Sequence, residues 1–246
     1  MVHVGTPIEV AVETSVFTRT AVERVARYAF EQARARRRHL ISVTKSNASR
    51  YTYVLWDQVV TEVGRDYPDV WLERILVDAM AARMVTSLGG IDVVVGSNLF
   101  ADILTDLAAA IQGGMGTAAS GNLDPTGRKP SMFEPVHGSA PDIAGRGIAN
   151  PMGAILSGAL MLRHLGMEKA ADLVEDAVEQ TLVDGVKTRD LGDSAGTTEL
   201  CRRGRREADY ADKSARLASL PESACSLPNV GRRCDQQGSE PALTAG

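Results

Sequence analysis

The sequence is poor in cysteine: Cys201, Cys225 and Cys234 are the only three, and all lie among the last 46 of its 246 residues. The first 200 residues therefore form no disulfide, and no two cysteines have the CxxC spacing of a zinc site. Because disulfides accumulate in oxidising compartments, this distribution predicts a cytoplasmic protein. No apolar run approaches the roughly 20 residues of a membrane-spanning helix, and the opening residues MVHVGTPIEV lack a secretory pattern, so we expect no membrane partner.

Aromatic residues and an excess of positive charge are also lacking. Aromatics make up 4% of the chain, so Ala, Val, Ile and Leu must form most of the core. The chain has 27 basic and 31 acidic residues, a net charge of −4 and a pI of about 5.6. A nucleic-acid partner bound through bulk positive charge is therefore not expected.

Segments typical of strands and of helices alternate along residues 1–200, which predicts an α/β layered fold. Apolar periodicity predicts helices over residues 18–35, 53–64, 79–85, 98–111, 151–165 and 168–185. Apolar runs predict strands over residues 40–44, 75–77 and 91–95, the last being typical of a buried parallel sheet. Residues 113–151, rich in glycine and proline, are predicted to be mainly loop.

The composition changes near residue 200. Residues 201–246 contain eight basic and six acidic residues, with clustered arginines and much Ser, Gly and Pro. They show no sustained apolar period, which predicts a largely disordered tail with at most a short helix near residues 207–220.

Asp102 and Asp106 are the first candidates for chemistry, because they lie one turn apart on the predicted helix 98–111, for which Ser97 or Asn98 would be the cap. Two carboxylates on one face repel each other unless a cation lies between them, and Mg²⁺ or Mn²⁺ prefers oxygen ligands. The helix also follows a buried strand, and ligands of open α/β sheets bind at carboxyl ends of strands. The alternative is two solvated surface acids.

Lys45 directly follows the predicted strand 40–44, and Asp78 directly follows the predicted strand 75–77. A lysine at a strand end acts as a general acid or base when a metal or second cation depresses its pKa. The alternatives are an exposed loop lysine and, for Asp78, a cap on the helix 79–85.

The stretch 134–151, EPVHGSAPDIAGRGIANP, combines small residues with His137, Asp142 and Asn150. Small residues let backbone amides approach a ligand, and an acid such as Asp142 binds ribose hydroxyls in dinucleotide sites. The GxGxxG fingerprint is absent, so a rigid structural loop is the alternative, with His137 as a structural histidine.

Six motifs in this order resemble the β-decarboxylating dehydrogenases, the family of isocitrate, 3-isopropylmalate, tartrate and D-malate dehydrogenases. They are VERVARYAFEQA (22–33), TKSNA (44–48), VDAMAARMV (77–85), SNLFADILTDLAAAI (97–111), FEPVHGSAPDIAGRGIANP (133–151) and LGDSAGTTE (191–199). SVFTR, TKSNA and SNLFADILTD favour the tartrate/D-malate branch. The resemblance implies an isopropylmalate-dehydrogenase-like two-domain α/β fold.

The resemblance also implies roles for named residues. Asp102 and Asp106 would bind Mg²⁺ or Mn²⁺, while Asp78 and the catalytic Lys45 would complete the site of the partner subunit in a homodimer. The adenosine half of the cofactor would contact His137, Gly138, Ser139, Ala140, Asp142 and Asn150. Because Asp142 repels a 2′-phosphate, NAD is implied over NADP. The substrate would be a 2-hydroxy dicarboxylic acid such as tartrate or D-malate.

The sequence departs from the family at both ends. The first third of the family, with its N-terminal strands, its substrate-binding arginines and a proton-donating tyrosine, has no counterpart here. We therefore expect residues 1–112 to form the dimerisation and metal domain, 113–200 the C-terminal half of the cofactor domain, and 201–246 the tail. The alternatives for function are a 3-isopropylmalate dehydrogenase-type enzyme and a catalytically silent remnant.

Overall fold

The computed structural model describes the backbone of residues 1–218 and the side chains of residues 1–209. Its mixed α/β architecture confirms the fold class predicted from the sequence. The chain divides into two compact units, one spanning Met1–Gly138 and the other beginning at Ser139. In the described part of the chain, no helix is both long and apolar enough to cross a membrane.

The first unit contains four helices and five strands in residues 1–138. They are α1 (Arg19–Arg34), β1 (His39–Thr44), α2 (Thr52–Gly64), β2 (Trp71–Leu76), α3 (Val77–Thr86), β3 (Val93–Val95), α4 (Asn98–Ile111), β4 (Ala119–Asn122) and β5 (Met132–Pro135). The described part of the second unit contains α5 (Met152–His164), α6 (Glu168–Val183) and α7 (Thr197–Ala218). Each of the six helices and three strands predicted from periodicity is present, with shifted ends.

Strand β1 is the centre of a parallel three-stranded sheet with the order β2-β1-β3. Leu40 packs into a core cluster with α1 and α2, whereas Ile41 and Val43 pack into a second cluster with α3 and α4. Helices therefore cover both faces of β1, which explains why residues 40–44 are all buried and do not alternate between buried and exposed. The parallel pairing also brings the carboxyl ends of β1 and β2 to the same edge.

The predicted loop 113–151 contains an antiparallel hairpin that the sequence analysis missed. Strands β4 and β5 pair with Ala119 opposite Pro135 and Asn122 opposite Met132. Strand β4, with the sequence ASGN, has no large apolar residue, so its pairing depends on backbone hydrogen bonds that side-chain periodicity does not report. The predicted domain boundary at residues 112–113 precedes this hairpin, while the division into compact units follows it.

The prediction of a disordered tail is wrong for residues 201–206, and the short helix allowed near residues 207–220 is part of α7, which ends at Ala218. Leu200 is 1% exposed and packs with Met152 and Val178 of α5 and α6, so the helix is anchored near its start. Arg203 then pairs with Asp184 and Glu207. The arginines that suggested a solvated tail are therefore part of an amphipathic helix. Residues 219–246, also predicted to be disordered, lie outside the described residues.

Candidate metal and substrate site

Lys45 and Asp78 meet at the carboxyl ends of two neighbouring parallel strands. Lys45 directly follows β1, and Asp78 lies in the first turn of α3, which begins where β2 ends. Lys45 Nζ donates a hydrogen bond to Asp78 Oδ1 at 2.7 Å. The Lys45 side chain is 28% exposed and that of Asp78 is 65% exposed. A proton-carrying group and a carboxylate thus share the edge at which α/β sheets bind ligands.

The Lys45 ammonium sets the ionisation of Asp78. Its hydrogen bond, followed by one from the backbone N–H of Asp78 itself, holds the pKa of the Asp78 carboxyl below its usual value. The carboxylate is therefore ionised at neutral pH and available to a cation. The helix-cap alternative does not describe Asp78, because Leu76 precedes α3 and no side chain caps that helix.

Asp102 and Asp106 lie on α4, one turn apart, and both are exposed. Leu104, which is two residues from each of them, is 2% exposed and faces the core, so the two acids lie on the opposite side of the helix. Among the described residues, no cationic side chain pairs with either carboxylate. The helix therefore presents two like charges to solvent without an internal counter-ion.

The acids of the described part of the chain do not form a complete metal site. No group of three His, Cys, Asp or Glu side chains arranged to hold an ion occurs within the described residues. Asp78 is directed to Lys45 and does not join the α4 pair in one cluster. The α4 carboxylates fit Mg²⁺ or Mn²⁺ by their chemistry, but they supply only part of the roughly six oxygen ligands that such an ion takes.

The start of α4 is held by a contact that the sequence analysis missed. Ser97 precedes the helix, as expected for a cap, yet its hydroxyl makes no capping bond. Its Oγ lies instead 2.6 Å from the hydroxyl of buried Tyr53, and the Tyr53 ring stacks on Phe100 at 4.6 Å between centroids. Because Tyr53 and Ser97 are 44 positions apart, no local pattern signals this contact.

The candidate cofactor residues are mostly exposed. Gly138, Ser139, Ala140 and Asp142 are exposed, whereas His137 is half-buried and its Nδ1 lies 3.0 Å from the Gly138 carbonyl oxygen. His137 and Gly138 belong to the first compact unit and the others to the second. Within the first unit, open space surrounds the position of a Cβ on Gly138, and within the second unit the Asp142 side chain is exposed.

Asn150 differs from the other candidate cofactor residues because its side chain is engaged within the second unit. It is 8% exposed. Its Nδ2 donates to Asp190 Oδ2 at 2.9 Å, and its Oδ1 accepts from the Met152 backbone N–H at 2.9 Å. The amide therefore links the start of α5 to the turn around Asp190. This is the role predicted for Asn150 if residues 134–151 form a rigid structural loop.

Helices on both faces of a parallel sheet, with a lysine and acids at the strand ends, define an α/β enzyme scaffold. The family described as isocitrate/isopropylmalate dehydrogenase matches residues 2–203. The chain belongs to this family, as its motifs indicated.

Similar proteins carry more than one substrate name. The chain is 54% identical over 194 residues to a 3-isopropylmalate dehydrogenase from Corynebacterium kroppenstedtii, covering 78% of this chain and 57% of that protein. It is 48% identical over 192 residues to a probable tartrate dehydrogenase/decarboxylase from Bacillus subtilis, covering 78% and 54%. The chain thus spans little more than half the length of these curated relatives.

Solved structures give the same fold. An isocitrate dehydrogenase from Methylococcus capsulatus has a TM-score of 0.74 at 41% identity, covering 79% of this chain and 58% of its own. A β-decarboxylating dehydrogenase from Thermococcus kodakarensis has a TM-score of 0.76 at 37% identity, covering 88% and 63%. The expectation of an isopropylmalate-dehydrogenase-like fold is confirmed.

Proposed function

We propose that this protein oxidises a 2-hydroxy dicarboxylic acid with NAD and Mg²⁺ or Mn²⁺, with tartrate or D-malate as substrate. The observation that carries the proposal is the Lys45–Asp78 hydrogen bond of 2.7 Å at the ends of β1 and β2. It joins the two residues that the family resemblance assigns to one active site. The cytoplasm, where NAD is abundant and the cysteine-free body of the chain needs no oxidation, is the proposed compartment.

In this proposal Asp102 and Asp106 hold the metal ion, which when bound stabilises negative charge on the substrate during oxidation and decarboxylation. Neither carboxylate has a cationic partner among the described side chains, which supports this role because the pair can then attract a cation from outside. Lys45 would handle the proton of the substrate hydroxyl, for whose oxidation bound NAD would supply the hydride acceptor. Asp142 would accept hydrogen bonds from the ribose hydroxyls of NAD, and its negative charge would disfavour the 2′-phosphate of NADP.

We propose a homodimer as the active form. Asp78 belongs to the metal site by family resemblance, yet within one chain it does not cluster with the α4 acids. A second copy resolves this difference by supplying Asp78 and Lys45 to its partner's site. Exposed apolar residues on α3 and α4 support such an interface: Val85 is 69%, Leu99 64% and Ile103 55% exposed.

Two alternatives have their own support. A 3-isopropylmalate dehydrogenase-type activity is favoured by the 54% identity to the Corynebacterium enzyme. A catalytically silent remnant is favoured by the coverage, because the relatives contain long segments that this chain does not match.

The deciding experiment follows NADH formation by the full chain with Mn²⁺ and D-malate, tartrate or 3-isopropylmalate. We expect turnover with D-malate or tartrate and a loss of about 100-fold or more in Lys45→Met, since general acid–base catalysis contributes roughly 10²–10⁴-fold. Lys187→Met is the matched control and should retain activity. Turnover confined to 3-isopropylmalate would establish the first alternative. Mn²⁺ and NAD binding without turnover on any of the three would establish the second.

A further inference from the structure

We infer that Tyr53 is a positioning residue that orients helix α4 for metal binding. The inference rests on the proposed function, in which Asp102 and Asp106 hold the ion. Tyr53 lies at the second position of α2 and is 7% exposed, so its ring is fixed within the core of the first unit. Phe17 packs edge-on against the same ring at 5.1 Å, which limits its movement further.

Tyr53 holds α4 at two points. Its hydroxyl bonds to Ser97, which directly precedes the helix, and its ring stacks on Phe100 in the first turn with an interplanar angle of 11°. The Ser97 hydroxyl makes this contact and does not form the usual capping bond to a backbone N–H of α4. Two contacts three residues apart fix both where the helix starts and how it is rotated about its axis.

Rotation of α4 matters because metal coordination tolerates little displacement. Side-chain ends lie about 5–6 Å from a helix axis, so a rotation of ~10° moves a carboxylate by about 1 Å. Metal–ligand distances vary by only about ±0.2 Å in well-formed sites. Asp102 is two residues beyond Phe100, so a loosened first turn displaces this carboxylate before any other acid on the helix.

The test compares two buried tyrosines of the same unit by Mn²⁺ titration of the full chain, with free Mn²⁺ measured by electron paramagnetic resonance. Tyr67 is 6% exposed, bonds through its hydroxyl to Glu31 at 2.8 Å and stacks on Phe30 at 4.9 Å. It therefore matches Tyr53 in kind, but its hydrogen bond and its ring stacking go to residues of α1 in place of α4. Tyr53→Phe and Tyr67→Phe each remove one hydroxyl, and melting temperatures measure the stability that each loses.

We expect Tyr53→Phe to weaken Mn²⁺ binding about tenfold, the lower end of what outer-shell partners of metal ligands contribute. Ser97→Ala should weaken it equally, and the double variant no further, because both changes remove one bond. Tyr67→Phe should lose similar stability with unchanged Mn²⁺ affinity. Asp102→Asn, which removes a proposed ligand, sets the upper limit of the loss.

Three outcomes overturn the inference in different ways. Wild-type affinity in Tyr53→Phe, while Asp102→Asn binds weakly, overturns the positioning role alone. An equal loss of affinity in Tyr67→Phe shows that only general stability is involved. Absence of Mn²⁺ binding by the wild-type chain overturns the proposed function, and with it the inference.

Discussion

The acids at the strand ends and the acids along α4 differ in the source of their counter-charge. Asp78 accepts a hydrogen bond from Lys45 of its own chain at 2.7 Å, whereas Asp102 and Asp106 have no cationic partner within the described residues. The first arrangement is complete in one chain, and the second is an unrelieved repulsion between like charges. The difference separates an acid that is paired within its own chain from two acids that have no cationic partner among the described residues.

The largest expected effect tests whether these two sets of acids serve different subunits. Asp78→Asn and Asp102→Asn should each lose at least about 100-fold in turnover, because each removes a proposed metal ligand. When the two variants are mixed, dissociated and reassembled, half of the dimers are mixed and each contains one intact site. Activity should therefore return to roughly a quarter of the wild-type value, as the symmetry of a two-fold dimer requires.

The matched control for this experiment comes from the Lys45–Asp78 pair. A mixture of Asp78→Asn with Lys45→Met should stay inactive, because both residues serve the same partner site and no mixed dimer contains an intact one. No recovery with Asp78→Asn and Asp102→Asn would show that the strand-end pair and the α4 acids act within one subunit. Recovery in the control would show that Asp78 and Lys45 serve different sites.

The positions of Lys45 and Asp78 at strand ends could be predicted from the sequence. The contact that holds the start of α4 could not. The apolar run of β1 and the position of Lys45 after it are local features, and two parallel strands bring their carboxyl ends to one edge. The contact between Tyr53 and Ser97 depends on how α2 packs against α4, which periodicity does not specify. A serine before a helix predicts a cap, and here tertiary packing outweighs that local preference.

The same limit explains the errors in the other segments. Helix α7 forms because Leu200 packs against α5 and α6, a contact outside the segment that was predicted to be disordered. Strand β4 pairs through its backbone, so the small residues of ASGN gave no signal. Segments whose structure depends on distant partners were therefore mispredicted, whereas segments with their own apolar period were predicted correctly.

Asp92 provides a third case, an acid with a buried side chain whose carboxylate is hydrogen-bonded to groups of its own chain. Its side chain is 1% exposed and accepts from Arg36 Nε at 2.8 Å and from the Arg37 backbone N–H at 2.9 Å. Burial opposes its ionisation, but the hydrogen bonds from Arg36 and Arg37 outweigh burial and hold the pKa of the carboxyl below its usual 3.8. Asp92 thus joins the end of α1 to the start of β3.

The second expected effect is a loss of stability in Asp92→Asn of about 2 kcal/mol at pH 7, as for hydrogen bonds to charged groups. Because the pKa of Asp92 is lower in the folded state, its contribution is fully present above the unfolded pKa and is lost as pH falls through the folded one. Urea unfolding at several pH values should therefore show the difference in unfolding free energy between wild type and variant closing below about pH 4.

Asp66→Asn, which breaks an exposed pair with Arg27, is the control and should cost less than about 1 kcal/mol. Equal losses in the two variants would contradict this account of Asp92.

The smallest expected effect is a gain in stability, and it measures the repulsion between the carboxylates of Asp102 and Asp106 on α4. Removing one of two like charges spaced i, i+4 on a helix stabilises it by about 0.2–0.5 kcal/mol. Asp106→Asn should therefore raise the free energy of unfolding of the metal-free chain by that amount at low ionic strength, and the gain should shrink as salt screens the pair. Glu199→Gln on α7 is the control, because Glu199 is exposed and has no other acid three or four positions away, so it should not show the gain with its salt dependence. With saturating Mn²⁺ the sign should reverse, because the wild-type chain gains binding energy that the variant has lost. A variant that is less stable than wild type without metal would mean that Asp106 already has a stabilising partner, and the contrast with Asp78 would then fail.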